Sequence, residues 1–342
     1  AAGMAGLVGA HADEVTVMNT LTVNLHLLMV SFFRPAGRRR KIVIESHAFP
    51  SDRYAVASQL RFHGLDPDEC MVELAPEPGS RLIEESQVES WLARHGDEVA
   101  LDLWPGVQYA SGQAFDLGRI AAAARAAGAS VGFDLAHAAG NLPLSLHDSG
   151  ADFATWCTYK YLNGGPGAVA ACFVHRRHTD GEPLPRFEGW WGNARDSRFQ
   201  MAPQFAAAAG AEAWQLSNPP ILSMAPLQAS LDIFQEAGLD RLRTKSLALT
   251  GWLADSIETH FDDVLELLTP NDPERRGCQL SMRVQAGREQ GRRLFHHLEE
   301  SGVIADWREP DIVRVAPVPL YNRYEDCFQM LSLANDWAAA IR

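Results

Sequence analysis

Lysine is nearly absent from this 342-residue chain: among 30 basic residues only Lys41, Lys160 and Lys245 carry an amine. Chemistry that needs a side-chain amine therefore has few candidates. Long apolar runs are missing too. No uncharged apolar stretch reaches the ~18–20 residues of a membrane helix, and the longest candidate, residues 21–33, is interrupted by Asn24 and His26. Residues 1–7 are apolar but have no basic segment before them, so they do not read as a signal peptide. Five cysteines contain no C-x-x-C pair, a pattern that favours the reduced thiols of a cytoplasmic protein over a disulfide framework or a cysteine metal site. Positive charge is also short, with 43 acidic residues and a net charge of −13. That argues against a nucleic-acid or anionic-membrane partner, which needs clustered cations. The one basic run, residues 38–41, reads as a solvated turn. There is no H-E-x-x-H, Walker or G-x-S-x-G motif, which leaves metal, nucleotide and serine-hydrolase readings weak.

What remains is an ordinary globular composition, 46% hydrophobic and 21% charged. The length suits about two domains at ~150 residues each. From residue 15 to about 175, short β-rich runs (41–46, 70–74, 98–103, 130–133, 152–157 and 168–174) alternate with helical stretches. Ser51 is placed to cap one helix and Asp116 another, and the alanine clusters at 121–129 and 206–211 read as helix. Such alternation implies an α/β domain with a mostly parallel sheet, whose ligands sit at the carboxyl ends of the strands. After residues 217–220 the texture changes to a helical stretch over 225–260. A strand, a helix, a strand pair and a final helix from Glu325 follow. The expected division is therefore a large α/β domain over 1–224 and a linking helix with a small α+β domain over 225–342.

Lys160 carries the most information. It lies just past an expected strand and is the only formally charged side chain between Asp152 and Arg176. An amine buried in apolar surroundings loses its proton more readily, by up to ~3–5 pKa units, and then attacks aldehydes. The alternative is a lysine snorkelling from a strand end. Asp134 ends a buried run, where a carboxylate can pair with a pyridinium nitrogen or cap a helix. His137 fits the same site or the core equally well. Phe49 offers a face to a flat ring or to the core, beside Asp52. The helix opening near residues 18–24 presents N–H groups suited to a phosphate.

Several of these runs, in order along nearly the whole chain, resemble the kynureninase family: residues 17–26, 49–52, 132–138, 156–163, 217–221 and 314–322. The resemblance implies a pyridoxal 5'-phosphate enzyme of fold type I, the aspartate-aminotransferase type. It would hydrolyse the Cβ–Cγ bond of L-kynurenine or 3-hydroxykynurenine to alanine and anthranilate or 3-hydroxyanthranilate. Lys160 would carry the cofactor and move protons, and Asp134 would pair with the ring nitrogen, with Asp52 and His137 nearby. Phe49, within the stretch Phe49, Pro50, Ser51 and Asp52, would stack on the ring. Leu21, Thr22 and Tyr159 would bind the phosphate. Trp190 and Asn218 would come from the neighbouring subunit of a homodimer, and Arg314 would clamp the substrate carboxylate. Asn218 leans towards the hydroxylated substrate.

Two departures from the family pattern stand out. Pro105 replaces a small hydroxyl residue that touches the phosphate, removing both hydroxyl and N–H. The chain also lacks the N-terminal segment that the family places before residue 5, and it does not start with Met. A truncated, non-catalytic chain is therefore one alternative. Another is a different fold-type-I enzyme, an aminotransferase or a cysteine desulfurase; the latter needs a mobile cysteine, whereas Cys278 and Cys327 fall in an expected strand and helix.

Overall fold

A computed structural model describes residues 1–179 and 184–340. The chain forms two compact units, Ala1–Gly106 with Phe115–Glu236, and Val107–Ala114 with Ala237–Arg342. The first holds seven strands: β1 (Val15–Val17), β2 (Lys41–Glu45), β3 (Met71–Leu74), β4 (Val99–Pro105), β5 (Ser130–Asp134), β6 (Phe153–Trp156) and β7 (Ala171–Val174). Their spatial order is β1-β7-β6-β5-β4-β2-β3. β7 runs antiparallel to both neighbours, and the other pairs are parallel. A sheet covered on both faces needs apolar strands without alternation, and Ile42, Val43 and Ile44 are all buried. The helix Leu21–Phe32 packs on this sheet, with the Phe32 ring stacked on Phe153 at 4.9 Å. Gly132 in β5 admits that Phe153 ring; a Cβ there would lie 2.1 Å from it.

Several expected elements change on folding. β1 and the helix Ala2–Val8 were not anticipated from the pattern. Ser51 does not cap its helix, which begins at Pro50 after Phe49; proline needs no N–H at that first position. Asp116 does cap Leu117–Ala126, accepting the Arg119 N–H at 3.0 Å. The alanine cluster at 206–211 is not α-helical; only its last two residues enter a short 3-10 turn, Gly210–Trp214. The stretch 225–260 is two helices, Ile221–Ala237 and Leu239–His260, broken at Gly238, whose φ of 78° an L side chain resists. The first of them crosses the 224/225 division. It stays with the first unit as far as Glu236, where Ser230 Oγ donates to the Leu162 carbonyl at 2.6 Å.

The second unit has an antiparallel sheet of β8 (Leu265–Leu267), β9 (Leu280–Val284), β10 (Asp306–Arg308) and β11 (Ile312–Val315), in the order β10-β11-β9-β8. Helices Leu239–His260, Arg288–Glu300 and Tyr324–Ala339 supply its core through Leu253, Leu298 and Met330 against Leu280 and Val313. The excursion Val107–Ala114 belongs to this unit, and Gln279 Nε2 donates to the Tyr109 carbonyl at 3.0 Å. Among the described residues no helix is long and apolar enough to cross a membrane.

Candidate active site

Parallel strands deliver their carboxyl ends and following loops to one edge, and the connections diverge between β2 and β4, where the strand order reverses. Asp134 is the last residue of β5, and its carboxylate accepts the Ala136 N–H at 2.7 Å. No helix starts there. The residues after it form a turn, with the Ala138 N–H on the Leu135 carbonyl, so the capping alternative gives way to a local turn contact. Asp52 lies in the first turn of Pro50–Phe62, the helix that follows β2. Its carboxyl hydrogen-bonds with that of Asp134, an interaction that raises Asp52 and lowers Asp134. Glu45, the last residue of β2, adds a third buried carboxyl within repulsive reach of Asp134.

These three acids are 4–8% exposed. Burial, the largest influence, pushes each carboxyl above the usual range, because a low dielectric penalises the charged form. Like charge adds to this: Asp134 raises both Asp52 and Glu45 further. Asp134 is held back by the Ala136 N–H, the Asp52 hydrogen bond and the positive charge of Lys160. Asp52 Oδ1 is buried with no hydrogen-bond partner among the described residues. The cluster therefore carries more acid than its donors and cations neutralise.

Lys160 follows β6 and is half-buried. Its Nζ lies 3.1 Å from His137 Nε2 and 5.6 Å from the centre of the Phe49 ring. The amine thus sits in acidic and aromatic surroundings, not in the purely apolar setting that the charge-free sequence around it suggested. Phe49 is 38% exposed. Thr22 and Ser51 meet at 2.7 Å between hydroxyl oxygens, each in the first turn of its helix, so two helix starts converge. Leu21 opens the first of these helices and Pro50 the second. Tyr159 is exposed, and its hydroxyl bonds to the Cys157 thiol; burial pushes both groups up.

Contacts therefore join Lys160 to His137 and Phe49, and Asp52 to Asp134, with the Lys160 charge felt by both acids; Thr22 and Ser51 meet separately. Trp190 donates its Nε1–H to the Arg198 carbonyl at 2.9 Å and packs edge-on against Phe199. The Asn218 residue is exposed. Arg314 lies on β11 in the second unit, where its guanidinium donates to the Tyr109 carbonyl and pairs with Asp306. Pro105 stands opposite Asp134 in the β4–β5 register, and the next N–H, that of Gly106, is taken by the Asp134 carbonyl at 2.7 Å. Sequence reasoning missed Glu45 and Cys157. A glutamate closing the apolar run Ile42–Ile44 was the available signal for the first; nothing in the pattern separated Cys157 from an ordinary buried thiol. Of the other two amines, Lys41 pairs with Glu98.

Chemically, the site offers an amine for a carbonyl carbon, an under-neutralised buried carboxylate for a protonated nitrogen, and an aromatic face for a flat ring. Two hydroxyls at helix starts suit an anion.

Comparison with known proteins bears on this geometry. The kynureninase C-terminal domain family matches residues 242–333. A kynureninase of Xanthomonas campestris pv. campestris (strain 8004) is 58% identical over 338 residues, covering 99% of this chain and 80% of the relative. A kynureninase of Stenotrophomonas maltophilia (strain K279a) is 58% identical over 337 residues, covering 98% and 80%. Among solved structures, the apo cysteine desulfurase of Thermococcus onnurineus NA1 superposes with a TM-score of 0.78 at 16% identity, covering 98% of this chain and 81% of that one. The cystine C-S lyase C-DES in complex with cysteine persulfide gives 0.81 at 17% identity, covering 97% and 84%. At such identities the structural likeness speaks for the fold alone.

Proposed function

The chain belongs to the kynureninase family, and on that premise we propose that it hydrolyses the Cβ–Cγ bond of L-kynurenine or 3-hydroxykynurenine with pyridoxal 5'-phosphate. Water adds its oxygen to the γ-carbonyl carbon. The bond to Cβ breaks, Cβ takes up a proton, and the products are L-alanine and anthranilate or its 3-hydroxy form. The observation that carries this reading is Lys160 Nζ beside His137 and Phe49, its charge felt by the hydrogen-bonded acids Asp134 and Asp52 at the carboxyl edge of the sheet.

The residues fit the cofactor. A buried acidic pair with an orphaned oxygen at Asp52 suits a cationic ring nitrogen beside it. The ring of Phe49 suits a flat cofactor ring, and Thr22 and Ser51 suit the phosphate at two helix starts, with Leu21 and Tyr159 as further proposed phosphate contacts. Pro105 contributes no hydroxyl to that cradle. When bound, pyridoxal phosphate supplies an electron sink that stabilises negative charge on the carbons next to the substrate nitrogen.

The chain's own groups supply the rest. Lys160 Nζ would hold the cofactor, and its amine is the base that takes the proton from the substrate Cα and returns it. His137, at 3.1 Å, exchanges a proton with that amine and orients it. Asp134 keeps the ring nitrogen protonated, and Asp52, by hydrogen-bonding with Asp134, fixes its orientation. Arg314 takes the substrate carboxylate, exchanging its Asp306 partner for it. Trp190 and Asn218 serve the site of a second copy in a cytoplasmic homodimer, and their exposure leaves them available to do so. A desulfurase would instead need a mobile nucleophilic thiol, yet all five cysteines are buried, and burial pushes Cys327 up to about 11.

The test is to mix the full chain, pyridoxal phosphate and each kynurenine, following anthranilate fluorescence and alanine. Equimolar products that fall by about 10³-fold or more in Lys160→Ala are expected. No aromatic product from either substrate, or full activity in that variant, overturns the reading.

A further inference from the structure

A second polar cluster lies in the first unit, built from residues the proposed reaction does not use. His11, Glu14 and His147 bring one ligand atom each to within 4.8 Å of one another. Glu14 is fully buried. Its Oε1 accepts from the Arg176 N–H at 3.0 Å and its Oε2 from the His11 N–H at 2.9 Å, while His147 Nδ1 lies 2.9 and 3.1 Å from the two oxygens. The His11 and His147 rings meet edge to face at 4.2 Å, and His175 stacks on His147 at 4.8 Å. His175 is pushed down to about 4, by burial first and the Arg177 charge next, and so stays neutral at pH 7.

From this geometry we propose that His11, Glu14 and His147 form an open three-ligand site for a borderline divalent cation of the zinc class, with water completing the shell. Two imidazoles and one carboxylate are the donor set that Zn²⁺ accepts, at ~2.0–2.1 Å from nitrogen and ~2.0–2.2 Å from oxygen. At a tetrahedral angle those lengths separate two ligand atoms by about 3.3 Å. The His147 nitrogen and the Glu14 oxygens already stand within a few tenths of an ångström of that separation, held by a proton that a cation would displace. The two backbone N–H bonds to Glu14 supply the outer support that orients a ligating carboxylate. His11 is exposed and provides the entry side.

The backbone holds the ligands in place without the cation. His147 sits in the short turn Leu146–Ser149, and its N–H donates to the Gly9 carbonyl at 3.0 Å. Gly9 itself has φ 63°, and a Cβ there would lie 2.3 Å from the Leu144 carbonyl oxygen. The two backbones that carry the ligands are therefore in direct contact, and neither has to reorganise to bind. An added cation joins the segment bearing His11 and Glu14 to the turn bearing His147, and it stabilises the folded chain by mass action.

Equilibrium dialysis of the full, cofactor-loaded chain against ZnCl₂, with metal analysis, tests the proposal. One zinc per chain is expected, weakened about tenfold or more in His11→Ala and in His147→Ala, with a zinc-dependent rise in Tm that both variants lose. His11 is exposed, so its variant keeps the fold even if the His147 variant does not. Failure of the wild-type chain to retain zinc, or retention unaffected by His11→Ala, overturns it. The result does not depend on whether kynurenine is cleaved.

Discussion

Two buried aspartates stand at opposite ends of the same parallel strand pair. At the carboxyl end of β5, Asp134 hydrogen-bonds with Asp52 within charge reach of Glu45 and receives one backbone N–H. At the amino end of β6, Asp152 is equally buried but accepts from the Val131 N–H at 2.7 Å, from His178 at 2.6 Å and from Arg177. Both lose water on folding, yet burial wins at Asp134, which is raised, and loses at Asp152, whose donors hold it below the usual range. The amino end of the pair is saturated and has no capacity for a ligand. The carboxyl end is left short of positive charge, which suits a site awaiting a cationic ring. Difference in neutralisation, at nearly equal burial, separates the acid proposed to act from one that holds the fold.

Exchanging each acid for its amide separates the two roles. Asp134→Asn is expected to lower kcat/KM for kynurenine by about 10²–10⁴, because the amide cannot hold the ring nitrogen protonated. The unloaded protein should lose no stability, since one of three crowded acids has been neutralised; thermal unfolding and steady-state kinetics check both halves. Asp152→Asn should do the reverse, costing about 2–4 kcal/mol in urea unfolding at pH 7 because it strips the counter-charge from half-buried Arg177. Activity per folded molecule should persist. The sign with pH follows from linkage. A depressed carboxyl stabilises the fold above its unfolded value near 4 and ceases to as pH falls through its lower folded value. The variant should flatten that acid limb, and an unchanged limb would remove Asp152 from the account.

Much of this was legible in the sequence, and the reasons are physical. Lysine scarcity isolated Lys160, and apolar runs ending in acids located Asp134, because a strand covered on both faces admits a charge only at its end. The α/β class and most of the second unit's element order followed from periodicity, whereas its short strand β8 did not. The Ser51 cap did not, because Pro50 satisfies the first helical turn better and releases the Ser51 hydroxyl to meet Thr22. Nor did the break at Gly238, since one glycine within a long helical pattern is usually tolerated. The excursion of Val107–Ala114 into the second unit was invisible, because only tertiary contacts such as Gln279 to Tyr109 define it. Glu14 and His147, 133 positions apart, are joined by the same kind of long-range packing.

Asp102 sharpens the comparison, because it is short of donors without being at a site. It is fully buried in β4, receives one bond from Trp104 Nε1 at 2.6 Å, and has no partner for Oδ2 among the described residues. Burial raises it to about 8. Under-neutralisation therefore marks a functional acid only where an amine, an exposed ring and a strand end come with it. In the native state Asp102 keeps a proton that the unfolded chain has released above pH ~4. Stability from this residue thus declines as pH rises from about 4 to about 8 and is level beyond. Asp102→Asn removes that titration and keeps an oxygen for Trp104, but it leaves an amide N–H₂ where Oδ2 was orphaned, which offsets part of the gain. Relative to the wild type, the variant is expected to gain about 4 kcal/mol between pH 5 and pH 8.5, because the cost of the amide does not vary with pH. Tm measured across that range decides it: a variant that follows the wild-type slope would show that Asp102 is not the group that titrates.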